Sequence, residues 1–210
     1  MSRDVRGLHV LTDVRDGRDC LVAVSAAVAA GAHVVQVRAK GVTDRELFDL
    51  AGHVVQRCRS YDALCIVDDR VDIALAVGAD GTHLGEHDLP MAAARRLAGA
   101  GHLLGGTART PEAARELVAA GADYLGVGPA FATGTKTGLP DALGPERVGA
   151  VAAAVDVPVI AIAGVTADRV RSLVAAGAAG VAVVSAVSEA PDPARAVRDL
   201  LAALGRDGTR

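Results

Sequence analysis

The sequence predicts an α/β protein of the compact (β/α)8 TIM barrel class, built as a single domain over residues 1–210. Three observations predict it. Short apolar runs alternate with segments of helical periodicity along the whole chain. Eight such units fit into 210 residues, about 26 residues each, near the lower size limit of roughly 200 residues for such barrels. A Gly-Ala pair recurs where a helix should end and a strand begin, at Gly31-Ala32, Gly78-Ala79, Gly121-Ala122 and Gly177-Ala178. Glycine suits the left-handed position that closes a helix. A doubly wound open sheet shares the alternation, but the eight countable units favour the barrel.

Strands are expected at 8–12, 33–38, 64–68, 81–84, 103–107, 124–127, 157–163 and 180–185. They are apolar nearly throughout rather than at every second position, as strands covered on both faces are. Helical spacing, with Arg and Glu on the other face, marks 44–57, 111–120 and 168–176. Thr110-Pro111-Glu112 and Thr166-Ala167-Asp168 read as helix starts, an N-cap followed by Pro or an acid in the first turn. The longest uncharged stretch, 172–188, is too short and too glycine-rich to span a membrane. It reads as a helix end, a turn and a buried strand. Residues 205–210 are expected to be a frayed tail. No linker, low-complexity tract or charge block divides the chain.

Composition excludes several functions. With 22 basic and 25 acidic side chains the net charge is -3, which is no footprint for nucleic acid. Four aromatics (Phe48, Tyr61, Tyr124 and Phe131) make neither a base-stacking platform nor a membrane belt. Cys20, Cys58 and Cys65 are odd in number and scattered, so a reduced, cytoplasmic setting is expected rather than a disulfide framework. The opening Met-Ser-Arg-Asp-Val-Arg leads into only a short apolar run, so no secretory leader is expected. The chain has no Asn, two Gln, and 20 Arg against only two Lys, Lys40 and Lys136. Where composition has pressed so hard against Lys, the two that remain point to positions Arg cannot fill.

In a barrel, function collects at the C-terminal ends of the strands. Strand 2 ends with Gln36, Arg38 and Lys40. Alternation puts these on one side if the strand continues to Lys40. Strand 3 ends in Asp68-Asp69-Arg70, strand 4 leads to Asp88, and strand 5 ends at Thr107. Strand 6 runs through Gly126-Val-Gly128-Pro129 into a loop bearing Thr133, Thr135 and Lys136. Strands 7 and 8 end at Ala163-Gly164 and Val184-Ser185. Arg38, Lys40 and Lys136 offer positive charge, and Asp69 and Asp88 offer hard oxygen ligands. Mg²⁺ is held by one or two carboxylates together with substrate phosphates, so this set suggests a metal-bridged diphosphate. Gly164 and Ser185 stand where such barrels commonly hold a monophosphate. Two phosphate sites imply two phosphorylated small-molecule partners. His83-Leu-Gly-Glu86-His87 invites a zinc reading, but no third ligand follows and a strand does not place both rings on one helix face. His83 is expected to be a satisfied core residue and His87 a rim residue. Gly126-Val-Gly128 lacks the third glycine and the helix of a dinucleotide fingerprint.

Taken together, the strand ends resemble the thiamine-phosphate synthase family, also called thiamine-phosphate pyrophosphorylase. The matching segments are Leu11-Thr12-Asp13, Val35-Gln36-Val37-Arg38-Ala39-Lys40, Asp68-Asp69-Arg70-Val71-Asp72, Ala79-Asp80-Gly81-Thr82-His83-Leu84-Gly85 with Asp88, Gly121-Ala122-Asp123-Tyr124-Leu125-Gly126-Val127-Gly128-Pro129, Thr133-Gly134-Thr135-Lys136 and Val184-Ser185-Ala186. The resemblance implies a Mg²⁺-dependent transferase. It would join hydroxymethyl-pyrimidine diphosphate to hydroxyethyl-thiazole phosphate, giving thiamine phosphate and pyrophosphate by dissociative displacement. It implies that Gln36, Arg38, Lys40, Asp68, Thr107 and Lys136 hold the pyrimidine diphosphate, with Lys136, Arg38 and Lys40 acting in catalysis. Asp69 and Asp88 would hold Mg²⁺. Thr133, Thr135, Gly164, Val184 and Ser185 would hold the thiazole phosphate. The chain departs from the family pattern at Asp68 (usually Asn), Thr107 (usually Ser) and Ala163 (usually Gly).

Three rivals remain at this level. A thiazole tautomerase of the same fold carries His where this chain has Gly128 and needs no diphosphate or metal site. A Schiff-base aldolase would use Lys136, but that lysine lies among threonines rather than in an apolar pocket. A non-catalytic sensor of phosphorylated ligands would use the same anion sites without turnover.

Overall fold

The computed structural model describes residues 4–15, 19–134, 138 and 140–205. Its eight parallel strands close in chain order: β1 (Gly7–Leu11), β2 (Val34–Val37), β3 (Leu64–Asp68), β4 (Gly81–Leu84), β5 (Leu103–Ala108), β6 (Tyr124–Val127), β7 (Val159–Ile162) and β8 (Gly180–Val183). β8 returns to β1, with Gly7 opposite Gly180 and Val10 opposite Val183. The helices are α1 (Cys20–Ala29), α2 (Asp44–Ser60), α3 (Val71–Val77), α4 (Met91–Ala98), α5 (Pro111–Ala119), α6 (Gly144–Ala152), α7 (Ala167–Ala175), a short α8 (Ser185–Ser188) and α9 (Pro193–Ala203). This is the expected (β/α)8 barrel.

The repeated Gly-Ala pairs do what their chemistry suggests. Gly31, Gly78, Gly121 and Gly177 all have positive φ. The N–H of the alanine that follows reaches back five residues, Ala32 to Ala27, Ala79 to Ala74, Ala122 to Leu117 and Ala178 to Leu173, at 2.9–3.0 Å. Each is the closing bond of a Schellman motif, and each turns the chain into the next strand. Thr110 caps α5 by accepting from Ala113 N–H at 3.3 Å. Thr166 precedes α7 with no such bond to the backbone; its hydroxyl engages the carboxylate of Asp168 instead.

Two faces of the sheet are buried, which explains the unbroken apolar runs. Outside, residues such as Val35, Val37, Val54 and Cys65 pack between strands and helices, as do Leu125, Val127, Val148 and Leu173 on the other side of the barrel. Inside, Val5, Leu11, Tyr124, Ile160 and Ala182 fill the lower barrel with Leu64 and Leu103. All three cysteines are buried and free.

Several element ends differ from expectation by one to three residues, and those of β2, β7 and β8 bear on the site. β2 stops at Val37 and does not continue to Lys40. The Thr12 hydroxyl accepts from Arg38 N–H at 2.8 Å and donates to Arg38 C=O at 2.9 Å, which takes both backbone groups away from the ladder. β7 is shorter at both ends than 157–163. β8 ends at Val183 because Ser185 already begins α8. The stretch 172–188 is helix end, turn and strand, as read. Of the expected frayed tail, 206–210 lie outside the described residues. Among the described residues, no helix is long and apolar enough to cross a membrane.

Candidate active site

The C-terminal ends of the strands surround a cavity of about 780 Å³. From β2 and its following loop come Gln36, Arg38 and Lys40. β3 gives Asp68 and, one step beyond, Asp69. The β4 loop gives Asp88 and β5 gives Thr107. The remaining side is built by Thr133 after β6, Gly164 after β7, and Val184 and Ser185 after β8. The structure thus brings eleven of the predicted site residues to one cavity. Thr135 and Lys136 lie outside the described residues.

The charged groups cluster where β2, β3 and β4 end. Lys40 Nζ is ion-paired with Asp69 Oδ2, and the Asp69 and Asp88 carboxyls are hydrogen-bonded to one another. Asp69 sits at φ 65°, a left-handed conformation that Asp tolerates better than most residues. Its N–H donates to His83 C=O at 2.8 Å, which fixes the turn. Burial raises the Asp69 pKa, the Lys40 contact opposes this, and Asp88 raises it further. For Asp88 burial also acts upward, but the hydrogen bond from Asp69 and the Gly85 N–H at 2.7 Å outweigh it and leave its pKa lowered. The two carboxyls titrate as a coupled pair, in which Asp69 takes up a proton more readily than Asp88. Two facing carboxylates with space beside them fit a small hard cation. Among the described residues no third His, Cys, Asp or Glu is grouped with them. A cation here would complete its coordination with water and ligand oxygens, the habit of Mg²⁺.

Asp68 differs from its neighbour. It is half-buried, and its buried Oδ1 has no hydrogen-bond partner among the described residues. Burial pushes its pKa well up, the Asp69 charge adds to this, and Arg38 and Lys40 only partly offset it. A carboxyl held neutral presents one donor and one acceptor, as a carboxamide does. Burial therefore favours the neutral form of Asp68 over the charged one.

Gly164 needs to be glycine. At φ 66° a Cβ would lie 2.6 Å from Ala132 O and 2.8 Å from Phe131 Cβ. Its neighbour Ala163 holds φ 74°, a left-handed alanine at the cavity wall. At Gly128 a Cβ would lie 2.4 Å from Ile162 O, so a histidine there would require the backbone to move.

Sequence reasoning missed four residues of the cavity wall. Arg109 and Arg169 are two of the 20 Arg, and their number hid them. Arg109 donates to Gly128 C=O at 2.8 Å and Asp141 C=O at 3.0 Å, tying together both roots of the β6–α6 loop. Arg169 donates to Gly164 C=O at 2.7 Å and lies 4.8 Å from the Phe131 ring centroid. His83 and Tyr124 form the floor. His83 was expected only to pack. In fact its ring is half-buried against the cavity and kept neutral, its pKa lowered to about 4 by burial and by the nearby His9. Alternation places His83 inward with Gly81 but does not tell a core position from a cavity floor.

The family model described as thiamine monophosphate synthase matches residues 8–187. The chain belongs to the thiamine monophosphate synthase family. A thiamine-phosphate synthase of Salinispora tropica is 56% identical over 200 residues, covering 94% of this chain and 96% of that protein. One from Haloarcula marismortui is 44% identical over 191 residues, covering 90% of each. The solved thiamine phosphate pyrophosphorylase from Pyrococcus furiosus superposes with a TM-score of 0.88 at 36% identity, covering 97% of both chains. A 3-hexulose-6-phosphate synthase structure, at 20% identity and a TM-score of 0.70, shares the fold alone. As a thiamine monophosphate synthase family member, the protein is a transferase of thiamine biosynthesis, not a non-catalytic sensor.

Proposed function

We propose that the protein catalyses the Mg²⁺-dependent condensation of hydroxymethyl-pyrimidine diphosphate with hydroxyethyl-thiazole phosphate, giving thiamine phosphate and pyrophosphate. The observation that carries this reading is the grouping of Lys40, Asp69 and Asp88, with Arg38 beside them, at one side of a cavity whose other side is Gly164, Val184 and Ser185. One side suits a diphosphate with its cation. The other suits a monophosphate near the N-terminal end of α7.

In the proposed reaction the C–O bond to the diphosphate breaks and its electron pair leaves with pyrophosphate. The electron-rich pyrimidine supports the resulting cation, and the thiazole nitrogen lone pair forms the new C–N bond. No protein nucleophile is required. Lys40, Arg38 and Lys136 stabilise negative charge as it gathers on the leaving group, while Gln36, Asp68 and Thr107 hold the pyrimidine side. When bound at Asp69 and Asp88, Mg²⁺ supplies further charge neutralisation. Thr133, Thr135, Gly164, Val184 and Ser185 orient the thiazole phosphate. The absence of room for a side chain at Gly128 supports this reading over the tautomerase.

The test is a coupled pyrophosphate-release assay on the full chain with both substrates. Release that needs both substrates and Mg²⁺ is expected. No release, or release indifferent to chelation, contradicts the proposal.

A further inference from the structure

A polar chain crosses the floor of the cavity and joins two residues that face the ligand space. Gln36 of β2 lies beside the Tyr124 hydroxyl on β6 and tempers the rise that burial gives its pKa. That hydroxyl lies 3.2 Å from His83 Nδ1 on β4. His83 Nε2 lies 3.0 Å from Thr107 Oγ1 on β5. Tyr124 is only 1% exposed, whereas Thr107 opens into the cavity. Thr107 is therefore the member most open to a ligand, Tyr124 is support, and His83 bridges them with its ring partly exposed to the cavity.

The barrel is shaped around these rings. A Cβ at Gly105 would lie 2.2 Å from Tyr124 Cζ and 2.5 Å from His83 Nδ1, and one at Gly126 would lie 2.9 Å from His83 Cε1. Inward positions on β5 and β6 that could have filled the core with aliphatic groups are empty so that an imidazole and a phenol can meet.

We propose that His83 is a positioning residue that holds the Thr107 hydroxyl as a hydrogen donor toward the ligand space, through a one-way chain running Tyr124 to His83 to Thr107. The direction follows from counting protons. In this chain the single proton of the Tyr124 hydroxyl goes to His83 Nδ1. A neutral imidazole that accepts at Nδ1 carries its proton on Nε2. Nε2–H then donates to Thr107 Oγ1, and the threonine proton is left to point into the cavity. The far end agrees with this direction. An ionised phosphate oxygen or a ring-nitrogen lone pair can only accept, so a Thr107 turned the other way would face it lone pair to lone pair. The inference deepens the proposed function, on which the identity of the ligand rests; the tautomer does not depend on it.

The first measurement is a long-range ¹H–¹⁵N imidazole correlation spectrum of the uniformly labelled full chain without ligands. His83 signals are assigned by their loss in His83→Gln. His9 is the internal reference, because its Nε2 lies 2.6 Å from the Val5 carbonyl and must carry the proton. Protonation of His83 on Nε2 alone is expected. Protonation on Nδ1, or on both nitrogens, overturns the proposal. The second measurement is kinetic. Tyr124→Phe keeps the buried ring and removes the proton donor to Nδ1, together with the hydroxyl beside Gln36. It should lower kcat/KM for the pyrimidine diphosphate by about 10- to 100-fold, the worth of a hydrogen bond to a charged group, and leave KM for the thiazole phosphate unchanged. In a Thr107→Val background the same change should have almost no further effect. An equal loss in both backgrounds overturns the positioning role. If no pyrophosphate is released by the wild-type protein, the proposed reaction fails, while the spectrum still decides the tautomer.

Discussion

Residues 163 and 164 offer a direct test of how the β7 end shapes the cavity. Both have left-handed φ, 74° and 66°, but one is alanine and the other glycine. An L-residue in this region costs about 1–2 kcal/mol. Ala163→Gly removes that cost and returns about 0.4–1 kcal/mol of unfolded-chain entropy, for a net gain of about 0.5 kcal/mol. Gly164→Ala adds the backbone cost and also forces a methyl group to within 2.6 Å of Ala132 O and 2.8 Å of Phe131 O. Overpacking of that kind costs about 1–3 kcal/mol, so the total is about 2–4 kcal/mol. At this chain length the two changes correspond to a Tm higher by roughly 1–2 °C and lower by roughly 5–15 °C. Thermal unfolding followed by circular dichroism measures both. A Gly164→Ala protein that melts with the wild type, or an Ala163→Gly protein that falls as far as Gly164→Ala, would refute the conformation and contacts on which this reasoning stands.

Asp68→Asn tests the raised pKa of this carboxyl. Because burial raises the folded pKa above the unfolded value near 3.9, the wild type is penalised increasingly as pH rises past that value, and the variant is not. The stability of Asp68→Asn relative to wild type should therefore grow from about pH 4 upward in urea titrations; a difference independent of pH contradicts it. Lys40→Ala frees the Asp69–Asp88 pair from its cation and removes charge from the diphosphate side. A kcat loss of about 10²–10³-fold is expected in the release assay, and near-wild-type turnover contradicts it. Lys136→Arg keeps the charge but not the compact ammonium; turnover should stay well below wild type, and full activity counts against a catalytic Lys136. Arg109→Ala unties Gly128 from Asp141, so amide exchange between them should quicken while α2 and β3 exchange unchanged. Uniform acceleration would point to global destabilisation instead.

The barrel was legible because its signals are local. Apolar runs, helical periodicity and the Gly-Ala terminators each report a few residues of backbone, and there are eight units to count. Strand ends were less legible, since they depend on distant partners; β2 stops because the hydroxyl of Thr12, 26 residues away, captures the backbone of Arg38. The cavity wall was readable where residue type is unusual for this composition, as at Lys40 and Gln36. It was not readable at Arg109 and Arg169, lost among many arginines. His83 and Tyr124 point inward like core residues, and alternation does not say whether an inward residue meets packed aliphatics or the bottom of a pocket. Nor could the sequence show that the Asp68 pKa is raised, because burial raises it and burial is a property of the whole fold.

The central claim is that Asp69 and Asp88 form, with Lys40, a cation-assisted diphosphate site whose emptying drives bond formation. Pyrophosphate release with both substrates, followed across a Mg²⁺ titration in wild type and in Asp69→Asn, tests it most directly. The account predicts saturable activation by Mg²⁺ in the wild type and a much higher Mg²⁺ requirement, with reduced maximal turnover, in the variant. Identical Mg²⁺ curves for the two proteins would contradict it.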